Sequence, residues 1–317
     1  MRDIFKEMRQ ILDERIVSKM KFKFLILFVV AALAALLYPP LASATSILGS
    51  AENFAVLAGT PNISNTGETT ITGDVGSHPA SEITGIGSIQ WTGKPDMNFE
   101  PYMPYLGDSI ALTAKNDLTK AYTGLAAMRP NSVFSIGKDL GGLTLTSGVY
   151  RFASEAQLTG PLTLDAQHNN NAYWVFQIGS ALTTAPGSSV VLTNLGTNDG
   201  RDNGLYWQVG SSATLGTTTA FEGNILALTS IAMNTGAKIP NGRALARNGA
   251  VTLDNNVISI VCPNGGPGYS GGLEFVEGEL VPIGPGSPVI PVPGAFLLVA
   301  IGMASLSVFR KRTSILN

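Results

Sequence analysis

The chain of 317 residues carries 20 basic and 22 acidic side chains, a formal charge of -2, with only 13% charged residues, 36 Gly and 18 Pro. That composition suits a turn-rich β protein and excludes a coiled coil or a disordered chain. Residues 1–23 hold seven basic and four acidic groups and Arg310–Arg312 three basic ones, which leaves ten basic against eighteen acidic between Phe24 and Phe309; so acidic a body, with no basic stripe, speaks against nucleic acid as a partner.

Lys21 and Lys23 precede Phe24 to Leu37, an uncharged apolar run followed by Pro39-Pro40 and Ala42-Ser43-Ala44. Basic region, apolar region and small-residue site make residues 1–44 a secretory signal peptide with an N-terminal extension, cut after Ala44, and imply an exported protein. The run is too short to be read first as a membrane span. MKFKFLILF from Met20 alone makes a normal signal start, so we expect translation to begin there rather than at Met1; an amphipathic extension built on Ile4, Met8, Ile11, Leu12 and Ile16 is the alternative.

From Ala51 to Ile89 apolar residues (Phe54, Val56, Leu57, Ile63, Ile71, Val75) are separated by Gly, Asn or Thr, a pattern of short strands and corners. His78 and Glu82 lie near one another, but without a third ligand at suitable spacing no metal site is expected. Asp96–Pro104 reads as a loop. The period then changes: Ile110, Ala114, Leu118, Ala121, Tyr122 and Leu125 recur at three- and four-residue intervals, which predicts one amphipathic helix over about 106–128, ending before Pro130.

Short strands resume at Val133. In GGLTLTSGVYRF, Leu143, Leu145 and Val149 are expected inward and Thr144 and Thr146 outward; in PLTLDA, Leu162 and Leu164 inward beside outward Thr163 and Asp165. Tyr173, Trp174, Val175, Phe176 and Ile178 form the densest apolar strand and read as core. Asp199, Arg201 and Asp202, in NDGRDNG, lack the ligand spacing of a calcium loop and read as a salt-bridged turn.

The stretch Gly204 to Ser259 repeats period two with Gly, Asn or Pro at each corner: Leu205, Trp207 and Val209, then Ile225 to Leu228, Ile231 with Met233, Val251 with Leu253. Turn signals recur too often for hairpins, and stacked coils fit better, each burying its inward side chains against its neighbours. The fold class is therefore an all-β solenoid with one long α-helix. Thr217, Thr219, Ser230, Thr235 and Thr252 fall among the outward positions and form a weakly charged surface suited to ordering water rather than to catalysis.

ATLGTTTAFEGNILALTSIAMNTGAKIPNGRALARNGAVTLDNN resembles the C-terminal coils of the ice-binding protein family built on an irregular (discontinuous) right-handed three-sided β-helix. Two further landmarks occur in the family's order: AENFAVLAGTPNISNTGETTITGDVGSHPA resembles its opening segment, and LTSGVYRF with AQLTGPLTLDAQHNNNAYWVFQIGSALTTAPGSSVVLTN its central coils. The resemblance implies that the helix packs alongside the stack and that the N-terminal coil lies beside the last C-terminal one, bringing Thr66 and Thr69 close to Thr252. It also implies adsorption to ice or ordered water through a flat Thr/Ser/Ala-rich face. Thr66-Gly67-Glu68-Thr69 matches the T-(A/G)-x-(T/N) loop pattern of family ice faces. The expected ice-contacting residues are Thr66, Thr69, Thr144, Thr146, Thr217, Thr219, Thr235 and Thr252, with no catalytic group, cofactor or metal; the ice-binding-like domain spans 45–262.

Cys262, the single cysteine, allows no internal disulfide and reads as a buried small hydrophobe ending the last coil. Residues 263–288, rich in Gly and Pro, read as a linker. Val289 to Phe309 runs without a charge before Arg310-Lys311-Arg312, so 289–312 reads as a membrane-anchoring helix with its C-terminus inside. Pro291-Val292-Pro293, the apolar span and the basic end resemble the PEP-CTERM class of bacterial sorting signals, which implies an exosortase-like processing enzyme as a partner; Val292 replaces the usual Glu. The other functional reading is a non-catalytic surface adhesion or biofilm-matrix protein. A polysaccharide-degrading enzyme would need clustered carboxylates, whereas Asp165, Asp199, Asp202 and Asp254 are scattered.

Overall fold

The computed structural model describes residues 46–92, 104–134, 139–261 and 268–284, all within one compact unit, Ala44–Ser287. The signal peptide and its extension, Cys262, most of the Asp96–Pro104 loop and the 289–312 segment lie outside the described residues.

Short strands follow one another in recurring triplets. The first two triplets are β1 (Phe54–Ala58), β2 (Ile63–Thr66), β3 (Thr69–Thr72), then β4 (Asp74–Ser77), β5 (Ile83–Thr84), β6 (Ile89–Trp91). After β7 (Tyr105–Leu106) comes the helix α1 (Ser109–Ala127), then β8 (Ser132–Phe134) and β9 (Thr144–Thr146). The series resumes with β10 (Gly148–Phe152), β11 (Ala156–Leu158), β12 (Pro161–Asp165), β13 (Tyr173–Ile178), β14 (Leu182–Thr184), β15 (Ser189–Thr193), β16 (Gly204–Val209) and β17 (Ala213–Leu215). It closes with β18 (Gly223–Ala227), β19 (Ile231–Met233), β20 (Lys238–Ile239), β21 (Gly242–Ala246), β22 (Val251–Asp254) and β23 (Val257–Ser259), before a hairpin of β24 (Leu273–Val276) and β25 (Glu279–Pro282).

The first strand of each triplet joins one sheet, β7-β4-β1-β21-β18-β16-β13-β10-β8, and the second joins another, β11-β14-β17-β19-β22-β2-β5. The third strands form two groups, β15-β12-β9 and β20-β23-β3-β6, joined through Ala220, which bridges Ser189 and Lys238. Among the described residues every strand-to-strand pairing in these sheets is parallel; the hairpin β24–β25 and the single bridge from Gly204 to Ser270 are antiparallel. The N-terminal triplet lies beside the last one, with Val56 opposite Ala244, Ser64 opposite Thr252 and Thr70 opposite Val257. The Oγ of Ser64 donates to Thr252 Oγ1 at 3.4 Å.

Period two explains the interior. Leu205, Trp207 and Val209 join the cluster enclosed by the sheets, with a file of aromatic rings running through it: Tyr150, Phe176, Trp207 and Phe221, the Phe176 and Trp207 centroids 4.0 Å apart. Their alternate partners Tyr206 and Gln208 are buried too, because α1 covers the outer side of the first sheet. Val149 belongs to this second layer and faces the helix rather than the interior.

Helix α1 starts at Ser109, later than the expected bound of about 106. Gly107 turns the chain at φ +66°, and the Asp108 carboxylate caps the first turn by accepting from Ala111 N at 2.8 Å. Ala111, Ala114, Leu118, Ala121, Tyr122 and Leu125 are buried on the sheet side, while Ile110 is 49% exposed. The alanines let helix and sheet approach closely; Leu118 and Leu125 each contribute about 2 kcal/mol of burial. Gln177 Nε2 caps the far end by donating to Leu125 O (2.7 Å) and Met128 O (2.8 Å). Lys115 reaches across to donate to the carbonyls of Ala246 (2.6 Å) and Arg247.

The expected linker is in part structured. Leu273 is buried against the helix layer, Lys120 Nζ sits 4.5 Å over the Phe275 ring, and Asn224 Nδ2 donates to Tyr269 O at 2.8 Å. Buried Arg243 ties this segment to the N-terminal region, donating to Glu52 O (2.8 Å), Asn224 Oδ1 (2.7 Å) and Gly268 O (3.1 Å). The NDGRDNG turn is closed by Asn198, whose Nδ2 donates to Asp202 Oδ2 at 2.8 Å.

Candidate functional site

Apart from the two-residue edge strand β5, the strands of the second sheet have the pattern inward, outward, inward: Ile231 and Met233 are buried around half-exposed Ala232, and Val251 and Leu253 around exposed Thr252. Successive outward positions are direct cross-strand partners: Gln157 with Thr183, Thr183 with Thr214, Thr214 with Ala232, Ala232 with Thr252, Thr252 with Ser64 and Ser64 with Thr84. With strands about 4.8 Å apart, this file extends roughly 29 Å and carries no ionisable side chain. A second file runs beside it, because Ala156 N, Leu182 N, Ala213 N, Ile231 N and Val251 N bond the carbonyls of Ala181, Ser212, Ser230, Ala250 and Asn62. These residues are also small or uncharged, so no bulky or ionised group stands up from the centre of the face.

The other two sheets offer nothing comparable. The first is covered by α1. On the third, the outward files run Thr144, Thr163, Val191 and Thr146, Asp165, Thr193, then Lys238, Val257, Thr70 and Gln90. Val191 is 44% exposed, and hydrogen bonds from Asn194 and from Gln167 N hold the exposed Asp165 carboxyl below its usual range, so it stays ionised.

The eight threonines singled out by the sequence separate into three groups. Thr66, Thr217, Thr235 and Thr252 line one open depression on the second sheet's outer side, together with Ala232, Asn234 and Asp254. Thr235 Oγ1 donates to Asp254 Oδ2 there. Thr144 and Thr146 are exposed, but on the third sheet. Thr69 and Thr219 are fully buried, and expecting them on the surface is corrected. Gly67, at φ +70°, bends the chain between Thr66 and Thr69, so the two do not share a face. Thr69 then starts β3 in the inward phase and accepts from Asn256 N at 3.1 Å. Thr219 follows the corner residue Thr218 (φ +58°) and turns in to pair with Thr184 Oγ1 at 2.8 Å.

Thr183, Thr214, Ala232, Ser64 and Thr84 were missed by the sequence reading. Their signal is the recurring inward–outward–inward triple before a corner, as in Ala213-Thr214-Leu215 and Val251-Thr252-Leu253. Among the described residues no group of three or more His, Cys, Asp or Glu is placed to hold a metal.

The sequence profile of the family described as ice-binding-like matches residues 56–259. A protein named ice-binding protein from Nostoc sp. (strain HG1) is 46% identical over 244 residues, covering 77% of this chain and 85% of that protein. An ice-binding protein from Flavobacterium frigoris (strain PS1) is 34% identical over 224 residues, 67% of this chain and 75% of its own length. The crystal structure of an ice-binding protein from an Antarctic biological consortium aligns with TM-score 0.60 at 42% identity, covering 70% of this chain and 93% of that one.

Proposed function

The chain belongs to the ice-binding-like family, and from that premise we propose that it adsorbs to ice through the outer face of its second sheet. The recurring triplet of parallel strands supports the finer reading of the fold as a discontinuous, right-handed, three-sided β-helix with α1 packed along one side. One observation carries the functional reading. The file from Thr183 to Thr84 is in register, uncovered by other elements, and free of ionised groups.

The physical mechanism follows from that geometry. Strands about 4.8 Å apart present hydroxyl and methyl groups at a repeat comparable to oxygen separations in ice. Thr is stiff about χ1, so its γ atoms hold neighbouring waters in fixed positions at little entropic cost. Ionised side chains would bind water in competing orientations; Asp254 lies at the margin with Thr235 bonded to it, and Asp139 stands only beyond the end of the file, bridged to Gln157. Each contact is weak; adsorption sums many of them on a frame already rigid before binding.

Placement outside the cell, with anchoring through 289–312 and processing by an exosortase-like enzyme, accompanies this reading as a proposal from the sequence. The purified protein is expected to inhibit ice recrystallisation. Thr214→Tyr and Thr252→Tyr, which raise a bulky ring in the middle of the plane, are expected to remove most of that effect while leaving the unfolding midpoint within a few degrees. Full activity in both well-folded variants would overturn the assignment of this face.

A further inference from the structure

The seven outward positions of the central file have one member without any γ atom, and it is the middle one. Ala232 stands between Thr214 and Thr252, its cross-strand partners on either side. The gap is visible in the surface as well as in the register. Ala232 borders the open depression that runs beside the file at the corner, lined further by Thr66, Thr217, Asn234, Thr235, Thr252 and Asp254. The face is therefore two short runs, Thr183 with Thr214 and Thr252 with Ser64 and Thr84, whose γ-bearing residues are separated at Ala232 by two strand spacings, about 9.6 Å.

Water over Ala232 has no stiff γ group beneath it and is held instead by the polar groups of the adjoining depression. Asn234 and Thr235 are exposed, and Thr235 already donates its hydroxyl proton to Asp254. Waters gathered there follow the carboxylate rather than the ladder. Because adsorption sums weak contacts over a continuous plane, a break at the centre costs more than one contact at an end: it halves the span over which the ordered layer is coherent.

We propose that Ala232 is the residue that sets the strength of ice adsorption in this protein, by dividing one plane into two smaller ones. This rests on the second sheet's outer face being the ice-contacting surface. Thr fits the position: it points outward between buried Ile231 and Met233, has open space above it, and is a better strand residue than Ala.

The test compares the intact protein with Ala232→Thr, Ala232→Val and Thr214→Tyr, measuring freezing-point depression and recrystallisation inhibition at equal molar concentration, with unfolding midpoints as the check on folding. The expected result is that Ala232→Thr raises activity by at least about twofold, that Ala232→Val raises it less, and that Thr214→Tyr loses it. If Thr214→Tyr loses activity but Ala232→Thr equals the parent or falls below it, the role of Ala232 is overturned and the face stands. If Thr214→Tyr keeps full activity, the face itself is wrong and the role of Ala232 falls with it. Should Ala232→Thr prove poorly folded, Ala232→Val decides: it restores both γ positions, and no gain from it overturns the proposal.

Discussion

Glu222 offers a quantitative test of how the stack is held together. It precedes β18, with Oε1 accepting from Asn241 Nδ2 at 3.2 Å and Oε2 buried without a partner. Burial, opposed in part by that hydrogen bond, pushes its carboxyl up to about 7 from 4.5. A folded-state pKa above the unfolded one means the proton is bound more tightly in the native state. The associated stability is fully present below pH 4.5 and is lost as the pH rises through 7. At about 1.4 kcal/mol per unit the difference comes to about 3 kcal/mol. Glu222→Gln keeps the shape and the acceptor for Asn241 but removes the charge. Urea denaturation at pH 4, 6 and 8 is expected to give equal stabilities at pH 4 and a variant more stable by up to about 3 kcal/mol at pH 8. Groups that titrate in both proteins cancel in the comparison. Parallel curves for parent and variant across this range would refute the reasoning, because an ionised carboxylate would then cost nothing at that site.

Two further predictions separate the frame from the face. Thr69→Val and Thr219→Val remove hydroxyls bonded inside the corners, to Asn256 N and Thr184, so each is expected to lower stability by about 1–2 kcal/mol in urea denaturation and to leave ice inhibition per folded molecule unchanged. Lys115 is brought down to about 7 from 10.5 by burial and then by the nearby Arg247 charge. Its folded-state pKa lies below the unfolded one, so the parent gains stability as the pH rises from 7 towards 10.5; Lys115→Met should abolish that rise, and a rise that persists would show the ammonium is not what titrates.

The sequence makes the period-two strands and the single change to period 3.6 directly legible, because burial of alternate residues leaves its mark on composition whatever the neighbours are. The helix boundaries shift by a few residues for a local reason, the capping by Asp108 after Gly107. The phase of individual threonines is less legible. Thr66 and Thr69 look equivalent in a T-x-x-T pattern, and only the left-handed turn at Gly67 sends one outward and the other inward. The central file is a property of pairing between strands, which no single strand displays: Thr183, Thr214 and Thr252 are ordinary outward residues until the register aligns them. Arg243 carries no local signal either, since its partners Glu52 and Gly268 come from the two ends of the described chain.

The insertion of the first triplet beside the last has a consequence for how the molecule is made. Ser64 and Thr252 touch although 188 positions separate them. The earliest strands to be synthesised therefore wait for the latest, and β1–β3 keep a bare edge until β21–β23 exist to pair with them. Folding cannot run from one end to the other as it does in a simple repeat array; closure is a single late event between distant segments, and so a slow one. A chain built this way stays open until its last triplet has been made and completes its shape only when the two distant segments meet.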